Sequence, residues 1–313
     1  MPHVPFLSRS GPAEKEGWLA ALRAAMPDID IEPFERLGDH ARATAQVAIV
    51  ADPDPADLRQ LPNLRWVQSL WAGVERIVAE LPKHGVTIVR MEDPEMARTM
   101  AEAVLAWTLY LHRDMPRYRH QQTEAKWREH PLRLPSDRTI GVLGLGNLGR
   151  QAARALLGQG FTVCGWSRSQ AMMDQVTTFH GRDGLASMLS RSDIVVVLLP
   201  LTAETRGLLN AAALRAMRRG ACLINFARGP IVDATALLAA LDSGHLDHAV
   251  LDVFDEEPLP PSSRLWSHPS VTVLPHVSAP TNRQTASRIV ADNLRRYFEC
   301  GDIPAAVDRA RGY

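Results

Sequence analysis

Cysteine is scarce in this chain of 313 residues: Cys164, Cys222 and Cys300 lie far apart and form no CxxC pair. That argues against a disulfide framework and for a reducing compartment, so a cytoplasmic protein is expected. An excess of one charge is absent as well, since 35 basic residues balance 35 acidic ones. There is no basic footprint for nucleic acid and no acidic tail. No stretch near twenty apolar residues is free of charges, so no membrane span is expected. The opening "MPHVPFLSRSGPAEKEGW" has no charged segment followed by a long apolar run, so no secretory signal is expected there. Lysine occurs only at 15, 83 and 126, and the skew toward arginine carries no functional reading.

What is present is an alternation of short apolar runs and helical patterns. Strands are predicted at "HVPFLS", "DIDIEPF", "QVAIVAD", "LRWVQSL" and "VTIVRM". An amphipathic stretch from Glu14 to Met26 puts Trp18, Leu19, Leu22 and Met26 on one face. A single long helix is predicted from Pro94 to about Trp127, apolar on more than one face. After the proline-rich "HPLRLPSDR" comes a second series, with strands at "FTVCGW", "SDIVVVLLP", "ACLINFA", "HAVLDVF" and "VTVLPH". The tail from Thr281 is helical again. Strands alternating with helices imply parallel sheets covered on both faces. The fold class is therefore α/β, with two doubly wound parallel-sheet domains.

The strongest local signal is "TIGVLGLGNLGRQAARALLGQG", a strand, a glycine turn and an alanine-rich helix. Gly144 permits the tight turn, Gly146 lets backbone approach a pyrophosphate, and Gly149 lets helix pack on strand. Asn147 and Leu148 open the helix, whose N-terminus favours phosphate. The pattern predicts dinucleotide binding. In such units a strand ending about eighteen residues on carries an acid for the adenine ribose; here "VCGWSRS" ends in Ser167 and Arg168 instead. Loss of the acid removes repulsion of a 2′-phosphate. Arg168, with Arg150 as a second candidate, offers a charge-assisted fork. NADP(H) is therefore expected in preference to NAD(H).

Three later segments place polar side chains at the C-terminal ends of predicted strands, where open α/β sheets hold their ligands. "NFARGPIVD" carries Arg228, "LDVFDEEP" carries Asp252 and Glu257, and "LPHVSAP" carries His276. Singly, Arg228 reads as a surface arginine, Glu257 as a helix-starting acid and His276 as a core histidine. Together, at one sheet edge beside a dinucleotide fold, an arginine suits a carboxylate and a Glu–His pair suits proton transfer. His245 and His248 have no cysteine nearby, and no metal site is expected. None of the four tyrosines has a lysine four residues on, against the Tyr–Lys pair of short-chain dehydrogenases.

In the order and spacing of "GVLGLGNLG", "LLPLTAETRGLLN", "NFARGPIVD", "LDVFDEEPLP" and "LPHVSAPT", the chain resembles the D-isomer-specific 2-hydroxyacid dehydrogenases. With "WAGVERI" the likeness spans nearly the whole chain. "RMEDPEM", "CGWSRS" and the terminal "VDRARGY" look most like the glyoxylate/hydroxypyruvate reductase A branch. The resemblance implies a Rossmann cofactor domain at 99–282. It also implies a flavodoxin-like substrate domain at 1–98, to which a C-terminal helix in 283–313 returns. It assigns Arg228 to the substrate carboxylate, His276 to acid/base work and Glu257 to the histidine. Backbone N–H groups of Trp71, Ala72, Gly73 and Val74 would hold the carboxylate. Leu148, Pro200, Thr205, Ala227, Asp252 and Ser278 fall where the family contacts its cofactor. Ser278 and Ala279 replace a glycine pair often found after the histidine.

The reaction so implied is NADPH-dependent reduction of glyoxylate or hydroxypyruvate to the D-2-hydroxy acid. Another 2-oxo acid, such as phenylpyruvate, is an alternative substrate. A dinucleotide-sensing binding protein on the same fold, like the related C-terminal-binding corepressors, is an alternative role. A homodimer is expected, with Trp127 or its neighbours walling the partner's substrate site.

Overall fold

The computed structural model describes residues 2–81 and 85–309; Lys83 and the last four residues of "VDRARGY" lie outside them. The chain divides into two compact units, residues 1–95 with 281–313 and residues 96–280. In the first unit, strands β1 (His3–Ser8), β2 (Asp30–Pro33), β3 (Val47–Ala51), β4 (Trp66–Ser69) and β5 (Thr87–Val89) alternate with helices α1 (Pro12–Ala25), α2 (Asp39–Thr44), α3 (Pro55–Leu58) and α4 (Glu75–Glu80). The strands are all parallel, in the order β2-β1-β3-β4-β5. This is the flavodoxin-like order. All five residues of β3 and all four of β4 are buried, as a parallel sheet covered on both faces requires. Trp18, Leu19 and Leu22 form the buried face of α1.

The second unit is entered by α5 (Pro94–His112), followed by α6 (Met115–Thr123). The single helix expected from Pro94 to Trp127 is thus corrected to two. Pro116 cannot supply the N–H that would continue the first helix, and its ring clashes with the preceding turn. The chain breaks at Asp114, which takes the left-handed conformation at φ 53° that Asp tolerates better than most residues. Helix α5 buries Met96, Met100, Val104 and Leu111, whereas α6 buries nothing and Trp127 lies beyond it in irregular chain.

Strand β6 (Thr139–Leu143) leads into α7 (Asn147–Gly158), then come β7 (Thr162–Ser167), β8 (Thr177–His180), α8 (Gly181–Leu189) and β9 (Ile194–Val197). Helices α9 (Ala211–Ala216) and α10 (Ala234–Asp242) flank β10 (Ala221–Asn225), and β11 (Leu246–Leu251) and β12 (Val271–Val273) complete the sheet. The order β12-β11-β10-β9-β6-β7-β8, parallel throughout, is the Rossmann order with an added edge strand. The two doubly wound sheets expected from the sequence are therefore present. Strand β8 was not expected: "TTFH" is short, polar and only half-buried at the sheet edge. His248, the first residue of the predicted strand "HAVLDVF", lies in β11 and is buried.

Helix α11 (Arg283–Cys300) is capped by Asn282, whose side chain accepts the amides of Gln284 and Thr285. It packs against α1 and completes the first unit.

Candidate active site

In the second unit the direction of winding reverses between β6 and β9, neighbours in the sheet. Crevices of this kind bind ligands at the C-terminal ends of the strands. Gly144 opens the turn after β6 with φ 103°, and a Cβ there would stand 2.7 Å from the Leu198 carbonyl. At Gly149 a Cβ would collide with the Gly144 carbonyl, so both positions exclude side chains for packing. Gly146 differs: a Cβ there would meet nothing within 4 Å, and no side chain caps the helix that starts beyond it. Asn147 is exposed and Leu148 half-buried in the first turn of α7, which carries no acidic residue. Open space in front of uncapped helix amides fits a pyrophosphate. These residues match what a dinucleotide demands.

At the end of β7, the Ser167 hydroxyl donates to the Ser169 carbonyl at 2.7 Å. Arg168 is exposed and pairs with Glu204 at 3.1 Å. Arg150, the second candidate, donates to the Met172 carbonyl at 3.0 Å. Beyond β9, the Thr205 hydroxyl donates to the Pro200 carbonyl at 2.6 Å and accepts the Thr202 amide at 2.8 Å. That brace gives the loop a fixed shape.

Arg228, Glu257 and His276 follow β10, β11 and β12, three neighbouring strands. The Arg228–Gly229 turn lies directly on the Phe254–Asp255 backbone, so closely that Gly229 has no room for a Cβ. Buried Asn225 ends β10; its amide group donates to the Arg228 carbonyl at 3.1 Å and its carbonyl oxygen accepts the Ala227 amide at 3.2 Å. The Arg228 guanidinium donates to the Ala227 carbonyl at 2.7 Å. His276 Nδ1 is 2.8 Å from Glu257 Oε2, and Glu257 Oε1 accepts the Phe254 amide at 2.9 Å. Asp252 is buried, and its carboxylate accepts the amides of Val277 at 2.7 Å and Ser278 at 2.9 Å. It thereby anchors the segment bearing His276, itself at φ 55°. Among the described residues the buried Ser278 hydroxyl has no hydrogen-bond partner.

In the first unit the turn after β4 holds Trp71, Ala72, Gly73 and Val74. The Trp71 amide donates to the Ser69 hydroxyl at 3.0 Å, and that hydroxyl donates to the Trp71 carbonyl at 3.0 Å. The Trp71 N–H is thus engaged within the turn. Among the described residues the amides of Ala72, Gly73 and Val74 donate to no protein group. The Trp71 ring meets Trp18 edge-on at 5.6 Å.

Sequence reasoning missed Ser69, Asn225 and Glu204. The first two carry a readable signal, a polar residue at the end of a buried apolar strand. Glu204 carries none, because its partner is 36 residues away. Three buried groups are excluded from the chemistry. Burial pushes the Cys222 thiol up to about 12 and raises Cys164 as well, so neither serves as a thiolate. Burial pushes the His248 imidazole down to about 4, and its ring bonds the Thr272 hydroxyl at 2.9 Å.

The family model for the D-isomer specific 2-hydroxyacid dehydrogenase NAD binding domain matches residues 105–278, more than half of the chain. A D-isomer specific 2-hydroxyacid dehydrogenase from Xanthobacter autotrophicus Py2, solved with NADPH and MES, is 40% identical. All of both chains is covered, with a TM-score of 0.92. The NADPH-dependent glyoxylate/hydroxypyruvate reductase SmGhrA from Sinorhizobium meliloti, solved with NADP and sulfate, is 34% identical over all of both chains, with a TM-score of 0.91. A probable 2-hydroxyacid dehydrogenase from Rhizobium etli CFN 42, solved with NADP, HEPES and L(+)-tartaric acid, is 30% identical over the same full coverage, also at 0.91. With the Rossmann sheet, the glycine turn and the Glu257–His276 pair in place, this chain belongs to the D-isomer specific 2-hydroxyacid dehydrogenase family.

Proposed function

We propose that this chain is a cytoplasmic NADPH-dependent reductase of a small 2-oxo acid, glyoxylate or hydroxypyruvate, yielding the D-2-hydroxy acid. The observation that carries the reading is the 2.8 Å pair of His276 and Glu257, on the same strand-end edge as the glycine turn. It is supported by relatives solved with NADPH or NADP, one of them named a glyoxylate/hydroxypyruvate reductase.

Gly144, Gly146, Asn147, Leu148 and Gly149 would hold the cofactor's pyrophosphate. Ser167 and Arg168 would take the 2′-phosphate, and Pro200, Thr205, Ala227, Asp252 and Ser278 would line the remainder. A bound nicotinamide supplies hydride to the carbonyl carbon. His276 gives a proton to the carbonyl oxygen as negative charge grows there, and Glu257 stabilises the imidazolium beforehand. With Nδ1 committed to Glu257, Nε2 is the nitrogen that faces substrate. Arg228 binds the carboxylate as a planar fork. Carboxylate binding is also proposed for the backbone N–H groups of the Trp71, Ala72, Gly73 and Val74 turn. The Trp71 ring borders that turn.

The protein is proposed to act as a homodimer. Trp127 is 98% exposed and Leu132 74% exposed, on a segment pinned to α6 through the Tyr118 hydroxyl and Gln121. Apolar side chains held rigidly in water call for a covering surface. A second copy covers them, and Trp127 walls its substrate site.

The test is NADPH oxidation against a panel of 2-oxo acids, repeated with NADH. Fastest turnover on glyoxylate or hydroxypyruvate with NADPH is expected. Turnover confined to phenylpyruvate or branched acids refutes the substrate, and none on any 2-oxo acid refutes the reductase.

A further inference from the structure

Arg168 and Glu204 are 36 residues apart, yet Arg168 Nη1 stands 3.1 Å from Glu204 Oε2. Strand order brings them together: β7 and β9 flank β6, so the chain beyond β7 and the loop beyond β9 meet on either side of the glycine turn. Glu204 does not ride on a loose loop. It sits between Ala203 and Thr205 in a turn cross-braced by Thr202, Thr205 and the Pro200 carbonyl. Both partners are open to solvent, with side chains 42% and 65% exposed.

We propose that Glu204 is a specificity-determining residue of the 2′-phosphate site, the resident anion on Arg168 that a 2′-phosphate must displace. The inference rests on the reading of Arg168 as the 2′-phosphate contact. A carboxylate and a phosphate monoester compete for the same guanidinium donors. An exposed ion pair is weak, so the more highly charged phosphate wins the exchange. Its binding is nevertheless reduced, first by the pair that must open and then by repulsion from a carboxylate still anchored nearby. A cofactor with a free 2′-hydroxyl needs no guanidinium and meets no such repulsion. Glu204 therefore narrows the preference that Arg168 alone would give, and it acts on the phosphorylated cofactor only. This acid takes no part in the absence of one at Ser167, since it arrives from a different strand.

Fragments of the cofactor isolate the effect from catalysis. Binding of 2′,5′-ADP and of 5′-AMP is measured by isothermal titration calorimetry on the native chain, Glu204→Gln and Arg168→Ala. At low salt, Glu204→Gln is expected to tighten 2′,5′-ADP by about five- to tenfold and to leave 5′-AMP within about twofold. The gain shrinks at about 0.5 M salt, because the charges are exposed. Arg168→Ala is expected to weaken 2′,5′-ADP about tenfold or more. If Glu204→Gln leaves 2′,5′-ADP unchanged or weaker while Arg168→Ala weakens it, the role of Glu204 is overturned and the phosphate contact stands. If Arg168→Ala changes nothing, the contact itself fails and the inference with it.

Discussion

Glu257 holds His276 with one carboxylate oxygen, at 2.8 Å, and the Phe254 amide with the other, at 2.9 Å. The carboxylate is therefore immobilised by its own loop before it meets the imidazole. The imidazole in turn hangs from a segment whose next two amides are held by Asp252. An imidazole oriented from both sides keeps Nε2 in one place, as the proposed proton transfer to a developing alkoxide requires.

From this arrangement His276→Ala is expected to lower kcat by about 10²–10⁴-fold with little change in NADPH affinity. Glu257→Gln keeps a hydrogen bond but loses the charge that favours imidazolium. Its kcat is expected to fall, by less than that of His276→Ala, with little change in NADPH affinity. An unchanged kcat would make Glu257 a purely structural strut.

Arg228→Lys keeps the charge and loses the planar fork. Transition-state binding is expected to weaken by roughly 1–3 kcal/mol, read as kcat/KM for the 2-oxo acid. An unchanged value would assign the carboxylate to the Trp71, Ala72, Gly73 and Val74 amides alone.

Native kcat/KM is expected to favour NADPH over NADH. Ser167→Asp combined with Arg168→Ala restores an acid for the ribose diol and removes the fork, moving preference toward NADH. Equal efficiency with both cofactors in the native enzyme would sink the assignment of Ser167 and Arg168.

Light scattering at micromolar concentration is expected to give a dimer, and Trp127→Ala to raise KM for bulkier 2-oxo acids while NADPH binding is untouched. A fully active monomer would refute both the interface and the shared wall.

His248 predicts an acid weakness. Burial pushes its imidazole down to about 4, below the ordinary histidine value of about 6.5. Between those values the unfolded chain binds the proton and the folded one does not. Stability is therefore lost as pH falls from about 6.5 to about 4, by roughly 3 kcal/mol in total. His248→Gln is expected to flatten urea midpoints across that window, and parallel acid losses in variant and native protein would refute the assignment.

Much of the architecture is legible in local patterns. Buried runs such as "VAIVA" and "IVVV" mark strands covered on both faces, and the Gly144–Gly149 spacing marks a turn that only small residues can make. Expectations failed where a local pattern was weak or overridden. "TTFH" sits at an edge with little to bury, and Pro116 with Asp114 interrupts an otherwise continuous apolar helix pattern.

The sequence by itself determined two parallel α/β sheets, the dinucleotide turn, and the arrival of Arg228, Glu257 and His276 at strand ends, because burial period and glycine conformation are local properties. Tertiary structure alone decided that Ser69 occupies the Trp71 amide, that the Phe254 amide and Asp252 steady the His276–Glu257 pair, and that Glu204 reaches Arg168. Those hydrogen bonds and ion pairs depend on turn geometry and on which strands become neighbours. Neighbour order follows from how whole sheets pack, which no short stretch of residues encodes.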